Sequence, residues 1–127
     1  MCCSRNSKPM AQIMSDLHLP RPTRDLVERR HALAPETEDA FRAFSKAVFA
    51  EGALDTRSKQ LIAVAVAHVT QCPWCIEGHV KAARRAGASD EQVMEAIWVA
   101  AEMRAGASWA HALKAVEVIG DTDKRDS

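Results

Sequence analysis

The chain has 127 residues, enough for one domain with a modest core, and its 17 basic residues balance 17 acidic ones. A neutral chain with no tyrosine and only three phenylalanines and three tryptophans gives no indication of nucleic-acid binding. Its longest apolar run, residues 61–67, is too short to span a bilayer, and the N-terminus lacks the apolar region of a secretory signal. We therefore expect no nucleic acid and no membrane as partners, and a cytoplasmic location.

Residues 1–22 have no hydrophobic period and end in a Pro-Arg-Pro breaker, so they predict a flexible N-terminal tail. A helical domain is expected over residues 23–120, followed by a charged C-terminal tail over 121–127. Thr23 can cap a short first helix that starts at Arg24 and ends near His31.

The second helix is predicted to begin at Pro35 and to end at Gly52. Its apolar stripe follows helical spacing and predicts core packing by Phe41, Phe44, Val48 and Phe49. A third helix, capped by Asp55 or Thr56, runs to about Thr70. Because residues 61–67 are apolar all round, this helix is expected to be central and buried.

A fourth helix is predicted to start at Pro73 and to stop at Gly87. Ser89 and Gln92 form a capping-box pattern for the next helix, which Gly106 is expected to break near Arg104. A last helix is predicted over residues 108–119, with Gly120 as its stop. The pattern indicates an all-α fold, a small helical bundle of about five to six helices with no βαβ unit.

One cluster carries chemistry: a Cys-x-x-Cys formed by Cys72 and Cys75, with His79 four residues later. In a helix these three side chains share one face over roughly 10 Å, at about 1.5 Å of rise per residue. Pro73 makes Cys72 the N-terminal flank of the helix and places Cys75 in its first turn. The free N–H groups and the helix dipole stabilise thiolates there, and His79 can carry the proton.

Three interpretations of this cluster stay open at this point. It can be a redox dithiol, a zinc site, or a pair of inert buried cysteines. Zinc needs a fourth ligand from His68, His111, a partner chain or water, because the chain has no second Cys-x-x-Cys. The position at a helix N-terminus favours the redox interpretation, and no metal or cofactor is expected. Cys2 and Cys3, adjacent in a polar tail, resemble neither a disulfide framework nor a metal site.

The short turn after Thr70 predicts that the third and fourth helices form an antiparallel hairpin. Counting outward from residue 70 places Gln60 opposite residue 80, within about one turn of His79. A side chain there can hydrogen-bond the imidazole and fix its tautomer. The alternative is that Gln60 is an ordinary polar residue near the start of its helix. His68 and His111 are interpreted as packing or structural histidines.

With these motifs, the chain resembles the alkyl hydroperoxidase D-like family within the carboxymuconolactone decarboxylase superfamily. The resemblance covers residues 36–119 and is strongest in the segments 59–68, 72–79 and 86–89. It implies a small helical protein that forms trimers or hexamers and reduces alkyl hydroperoxides with two cysteines. Cys75 would then be peroxidatic, Cys72 resolving and His79 the proton relay, and a dithiol donor such as a lipoyl group would restore the thiols.

The chain departs from the family pattern at Gln60, where the relay usually has a glutamate. Glutamine can orient His79, but it cannot ionise, so another acid (Glu77 or Glu102), a water or a weaker relay has to serve. The expected enzyme is thus a thiol-dependent peroxidase or disulfide reductase with Cys75, Cys72, His79 and Gln60 as site residues. The alternatives are a zinc-binding or interaction module and a lactone decarboxylase-like enzyme.

Overall fold

The computed structural model describes residues 19–123, and all regular elements in this range are α-helices. Five helices follow in chain order: α1 (Arg24–Leu33), α2 (Pro35–Phe49), α3 (Thr56–Thr70), α4 (Pro73–Arg85) and α5 (Asp90–Asp123). The predicted all-α fold is confirmed. The predictions about residues 1–18 and 124–127, Cys2 and Cys3 included, lie outside the described residues.

The chain divides into two compact units between Ala43 and Phe44, within α2. In the first unit, Thr23 caps α1 and accepts a hydrogen bond from the backbone N–H of Leu26 at 3.4 Å. Arg30 and Arg42 both donate to the Glu38 carboxylate. The hydrogen bond from Arg30 and then that from Arg42 lower the pKa of Glu38 to about 2.

The second unit contains the helical hairpin formed by α3 and α4. Asp55 caps α3 by accepting from the backbone N–H of Ser58 at 2.6 Å, as the sequence predicts. Gln71 ends α3 in the left-handed conformation, with φ of 55°, and its N–H bonds the carbonyl of Ala67. Only Gln71 and Cys72 separate the two helices, so α4 folds back directly against α3.

The core of this unit lies where α3, α4 and the start of α5 pack together. Its buried residues are Val64, Ala83, Ala88 and Val93, with Leu61, Val80 and Ile97 packed around them. The small alanines let the helix backbones approach closely. Gly87, with φ of 91°, ends α4 in a conformation that favours glycine, as the sequence predicts.

Two predictions about buried faces are wrong. Ile62 and Val66 of α3 are about half exposed, so this helix is buried on one face rather than all round. Phe41, Phe44 and Val48 are predicted from the sequence to be core residues of α2, but the two phenylalanines are about two-thirds exposed and Val48 is 43% exposed. An apolar sequence pattern marks a face that favours burial, but only the neighbouring elements decide whether that face is covered.

The last helix is continuous, which corrects the predicted break at Gly106 and the predicted stop at Gly120. Ser89 and Gln92 form the predicted capping box: Gln92 N–H donates to Ser89 Oγ at 3.1 Å, and Ser89 N–H donates to Gln92 Oε1 at 3.0 Å. From there 34 residues form one helix, about 51 Å long at 1.5 Å per residue. Each interior glycine destabilises a helix by only about 1 kcal/mol, so neighbouring residues that favour helix are sufficient to keep the helix continuous.

Candidate active site

The two cysteines stand at the N-terminal end of α4 and are joined as a disulfide. Their Cα atoms are 5.3 Å apart, an ordinary separation for a disulfide. Cys72 is the capping residue, and its Sγ accepts from the backbone N–H of Cys75 at 3.3 Å. Pro73 occupies the first turn, where its missing N–H is not needed. Cys72 therefore flanks the helix start and Cys75 lies in its first turn, as the sequence predicts.

His79 lies one turn after Cys75 and makes a hydrogen bond with Gln60. Its Nδ1 is 2.8 Å from Gln60 Oε1. Because an amide oxygen only accepts, Nδ1 carries the hydrogen in this pair and Nε2 keeps the lone pair. Nε2 is thus the ring nitrogen that can accept a proton from a thiol.

Gln60 is itself buried, with 8% of its surface exposed. The hairpin geometry inferred from the sequence therefore places Gln60 correctly beside His79. The interpretation of Gln60 as an ordinary polar residue near an exposed helix start is wrong, because a buried amide needs a hydrogen-bonding partner and the imidazole supplies it.

Phe49, at the end of α2, contacts the other side of this histidine. The two rings stack with centroids 5.2 Å apart and planes inclined by 29°. Sequence reasoning assigned Phe49 to a core stripe and gave it no part in the site. No local signal distinguishes it from the other phenylalanines of α2, because the contact joins residues 30 positions apart in the chain.

A cavity of about 410 Å³ opens beside Cys75 and His79. Its wall is mostly apolar and is formed by Val48, Phe49, Lys59, Ile62, Ala63, Val66, Ala67, Thr70, Cys75 and His79. Cys75 thus lines the cavity and Cys72 does not. Ile62 and Val66, on the half-exposed face of α3, belong to this wall. The apolar face of α3 that no other helix covers therefore lines the cavity.

The other polar candidates take no part in this cluster. His68 donates from Nδ1 to the carbonyl of Val64 at 2.8 Å, as expected of a packing histidine. Glu77 pairs with Lys81, and both side chains are more than half exposed. Glu102 and His111 are exposed on α5. Among residues 19–123, no three histidine, cysteine or acidic side chains are grouped to hold a metal ion.

Residues 35–118 match the sequence pattern of one known family, described as carboxymuconolactone decarboxylase. This match spans well over half of the chain. The chain belongs to the carboxymuconolactone decarboxylase family. The resemblance inferred from the sequence is confirmed at that level.

Relatives of this carboxymuconolactone decarboxylase family protein align with most of its sequence. A protein of Paracoccus denitrificans named "Uncharacterized protein 4 in cox locus" is 66% identical over 110 residues, covering 87% of this chain and 98% of the relative. A crystal structure of a Methanobacterium thermoautotrophicum protein is 36% identical, with a TM-score of 0.62, over 65% of this chain and 93% of that one.

A carboxymuconolactone decarboxylase family protein from Legionella pneumophila, also a crystal structure, is 28% identical. It covers 87% of this chain and 90% of its own, with a TM-score of 0.59. Of these three names, that of the Legionella protein gives the family, and none states a reaction. The chain is therefore a carboxymuconolactone decarboxylase family protein with a Cys-x-x-Cys. No helix in the described range is both long enough and apolar enough to cross a membrane.

Proposed function

We propose that this protein is a thiol-dependent peroxidase that reduces alkyl hydroperoxides through Cys75 and Cys72, with His79 as proton relay. One observation carries the proposal: Cys75 and His79 line the same apolar cavity, while Cys72 is bonded to Cys75 from outside it. A hydroperoxide that enters the cavity meets one sulfur and one proton carrier. The resolving sulfur is already within bonding reach.

In the first step, the Cys75 thiolate attacks the terminal oxygen of the hydroperoxide and the O–O bond breaks. The departing alkoxide takes a proton from the imidazolium of His79 and leaves as an alcohol. Cys75 is now a sulfenic acid, two electrons more oxidised than the thiolate. The helix N-terminus favours the thiolate that this step requires.

In the second step, the Cys72 thiolate attacks the sulfenic sulfur of Cys75. The S–S bond forms and the hydroxyl group leaves as water after taking up a proton. The result is the Cys72–Cys75 disulfide present in the structure. A dithiol donor, such as a lipoyl-type group, then returns two electrons and two protons by thiol–disulfide exchange. Because this recharging needs a reducing compartment, we place the protein in the cytoplasm.

Gln60 holds the relay in this scheme without adding charge. Its buried amide oxygen fixes the Nδ1–H tautomer of His79, so Nε2 is the nitrogen that exchanges protons with Cys75 and the leaving oxygen. The side chain hydrogen-bonded to Nδ1 of His79 is Gln60, and the carboxylates of Glu77 and Glu102 are exposed.

We also propose that the protein acts as a homo-oligomer, a trimer or hexamer, in which α5 contacts another copy. Large apolar side chains are exposed along the C-terminal half of α5, and we refer to four of them as the α5 patch: Trp109, Leu113, Val116 and Ile119. Each is at least 61% exposed. Exposed apolar patches of this kind mark association surfaces.

The activity is tested by adding stoichiometric cumene hydroperoxide to the fully reduced protein and following the thiols of the Cys72–Cys75 peptide by mass spectrometry. We expect both thiols to disappear together and one alcohol to form per disulfide. Hydrogen peroxide should react more slowly, since it makes no use of the apolar wall.

Two variants sharpen this experiment. Cys75→Ser should abolish peroxide consumption, whereas Cys72→Ser should still consume one peroxide and stop at a sulfenic acid. Peroxide consumption that persists in Cys75→Ser would overturn the proposal. Turnover of a lactone acid that survives loss of both cysteines would instead support the decarboxylase alternative, and zinc in protein purified without added metal would support the metal-site alternative.

A further inference from the structure

The end of α2 is held to the first turn of α3 by three side-chain hydrogen bonds. Lys59 Nζ donates to the carbonyl of Val48 at 2.8 Å and to that of Ala50 at 2.6 Å. Between them, the hydroxyl of Thr56 donates to the carbonyl of Phe49 at 3.3 Å. Three successive carbonyls at a helix C-terminus, which lack partners within the helix, are thus all satisfied from α3.

The ammonium of Lys59 is the stronger part of this arrangement. It bridges two carbonyls, and charge-assisted hydrogen bonds are about twice as strong as neutral ones. A cation is also favoured at the negative end of the helix dipole. The side chain of Lys59 is half-buried, and the two carbonyls that it binds lie at the exposed end of α2.

Between the two carbonyls that Lys59 holds lies Phe49, whose ring stacks on His79 at 5.2 Å. The next residue after Lys59 is Gln60, which bonds the Nδ1 of the same histidine. One turn of α3 therefore restrains the imidazole in two ways: directly at one nitrogen, and through Phe49 across the ring face.

We propose that Lys59 is a positioning residue for His79 and acts through Phe49. Lys59 anchors the end of α2, the anchored backbone fixes the Phe49 ring, and the ring keeps the imidazole in the orientation that Gln60 sets. This inference rests on the proposed role of His79 as proton relay. Misplacing a catalytic group by about 1 Å can lower a rate by roughly a hundredfold, so such a restraint affects the reaction.

The test compares Lys59→Met with Lys46→Met. Both changes remove one ammonium group, but Lys46 lies in the exposed last turn of α2 and donates to none of these carbonyls. The first readout is the NMR spectrum of His79, whose ring protons feel the ring current of Phe49. We expect them to move towards random-coil positions in Lys59→Met, to stay in place in Lys46→Met, and to be restored in Lys59→Arg, which keeps the donors.

The second readout is the pH profile of iodoacetamide alkylation at Cys75 in the reduced protein. Lys59→Met should lower the alkylation rate at high pH, or shift the pH at which the rate rises. The change in rate should be at most about tenfold, which is smaller than the roughly hundredfold loss expected for a displacement of ~1 Å. The effect should disappear when Phe49→Leu is already present, because the two residues act in series. A direct effect of the ammonium on Cys75 would persist in the Phe49→Leu background and would overturn the inference, as would unchanged His79 signals.

Neither readout uses a peroxide, so the two proposals fail separately. If the wild-type protein consumes no hydroperoxide while Lys59 and Phe49 remain coupled, the peroxidase proposal fails and the positioning inference stands. If peroxide is consumed and Lys59→Met matches the wild type in both readouts, the positioning inference fails. Should Lys59→Met not fold, Lys59→Gln takes its place: the shorter, uncharged amide loses the charge-assisted bonds to the two carbonyls, so the same shifts of the His79 signals are expected.

Discussion

The α3–α4 hairpin and the C-terminal half of α5 differ in how far their apolar side chains are exposed. The hairpin buries Val64 and Ala83 completely, and it pairs the buried amide of Gln60 with His79. The distal part of α5 leaves the α5 patch exposed, with Trp109 at 81%. The hairpin thus forms a buried core and a polar contact within one chain and leaves Ile62 and Val66 half exposed in the cavity wall, whereas every residue of the α5 patch is largely exposed.

The two proposals, on the reaction and on association, thus concern different parts of the molecule. Changes in the hairpin are expected to alter the reaction of Cys75 or the free energy of unfolding. Changes in the α5 patch are expected to alter association and to leave the hairpin chemistry intact.

The largest effect is expected for His79→Asn. Without the imidazole, the Lys59 ammonium is the charged proton donor left in the cavity wall, and it is bound to the carbonyls of Val48 and Ala50. General acid–base groups contribute roughly 10²- to 10⁴-fold, and stopped-flow peroxide consumption should fall within that range. His111→Asn, an exposed histidine on α5, is the matched control and should react at the wild-type rate. Equal losses in both variants would remove the relay from the mechanism.

Leu113→Asp places a carboxylate in the α5 patch. Because burying an unpaired charge is strongly unfavourable, light scattering should show a smaller assembly than that of the wild type. Leu33→Asp, at a leucine of α1 that is 87% exposed, is the control and should keep the wild-type mass. Alkylation of Cys75 should be the same in both variants; a change confined to Leu113→Asp would tie the site to the assembly.

Val64→Ala removes two methyl groups from the centre of the hairpin core, where Val64 is fully buried. Lost burial and the resulting cavity should lower the free energy of unfolding by about 2 kcal/mol. Val99→Ala, at a valine on α5 that is 59% exposed, should change it by less than about 0.5 kcal/mol. Urea unfolding followed by circular dichroism measures both. Similar losses would mean that α5 is as tightly packed as the hairpin.

Gln60→Glu restores a carboxylate beside His79. A carboxylate within hydrogen-bonding distance favours the imidazolium, which in turn favours the Cys75 thiolate, by an amount equivalent to about one pKa unit or more. The alkylation rate of Cys75 below neutral pH should rise by roughly tenfold for each unit. Gln92→Glu, in the capping box of α5, is the control. An unchanged pH–rate profile in Gln60→Glu would separate this position from the relay.

The smallest effect concerns the cap of α3. The backbone N–H of Ser58 donates to the Asp55 carboxylate and lowers its pKa below the ordinary value of 3.8. A lowered folded-state pKa contributes stability above the ordinary value, and this contribution is lost as the pH falls through the folded-state value. Asp55→Asn keeps a capping oxygen but has no carboxylate to protonate. Its thermal stability relative to the wild type should therefore be lower near neutral pH, and this difference should shrink below pH 4. A constant deficit over that range would contradict the assignment.

Much of the site follows from local rules. The Cys-x-x-Cys spacing, Pro73 and the later histidine place three groups on one helix face, and the cap at Asp55 and the short turn set the register of Gln60 against His79. These features depend on helical period and on a connection of only two residues, so neighbouring sequence is sufficient to predict them.

Other parts depend on contacts that no local pattern encodes. The sequence predicts that the phenylalanines of α2 pack alike, yet Phe49 stacks on His79 while Phe41 and Phe44 stay largely exposed. It also predicts a helix break at Gly106, which the structure lacks. The low helix propensity of glycine destabilises a helix by about 1 kcal/mol. This is too little to end a helix when the neighbouring residues favour it.

The sequence by itself therefore determined the all-α class, the hairpin, the dithiol with its histidine, and the family. The tertiary structure was needed to show which face of α3 forms the cavity wall, that Phe49 stacks on the histidine while Lys59 binds the end of α2, and that α5 continues with apolar side chains exposed. The physical reason is the range of the interactions. Periodicity, caps and short turns act within a few residues, whereas ring stacking, cavity lining and the coverage of an apolar face depend on residues brought together from distant parts of the chain.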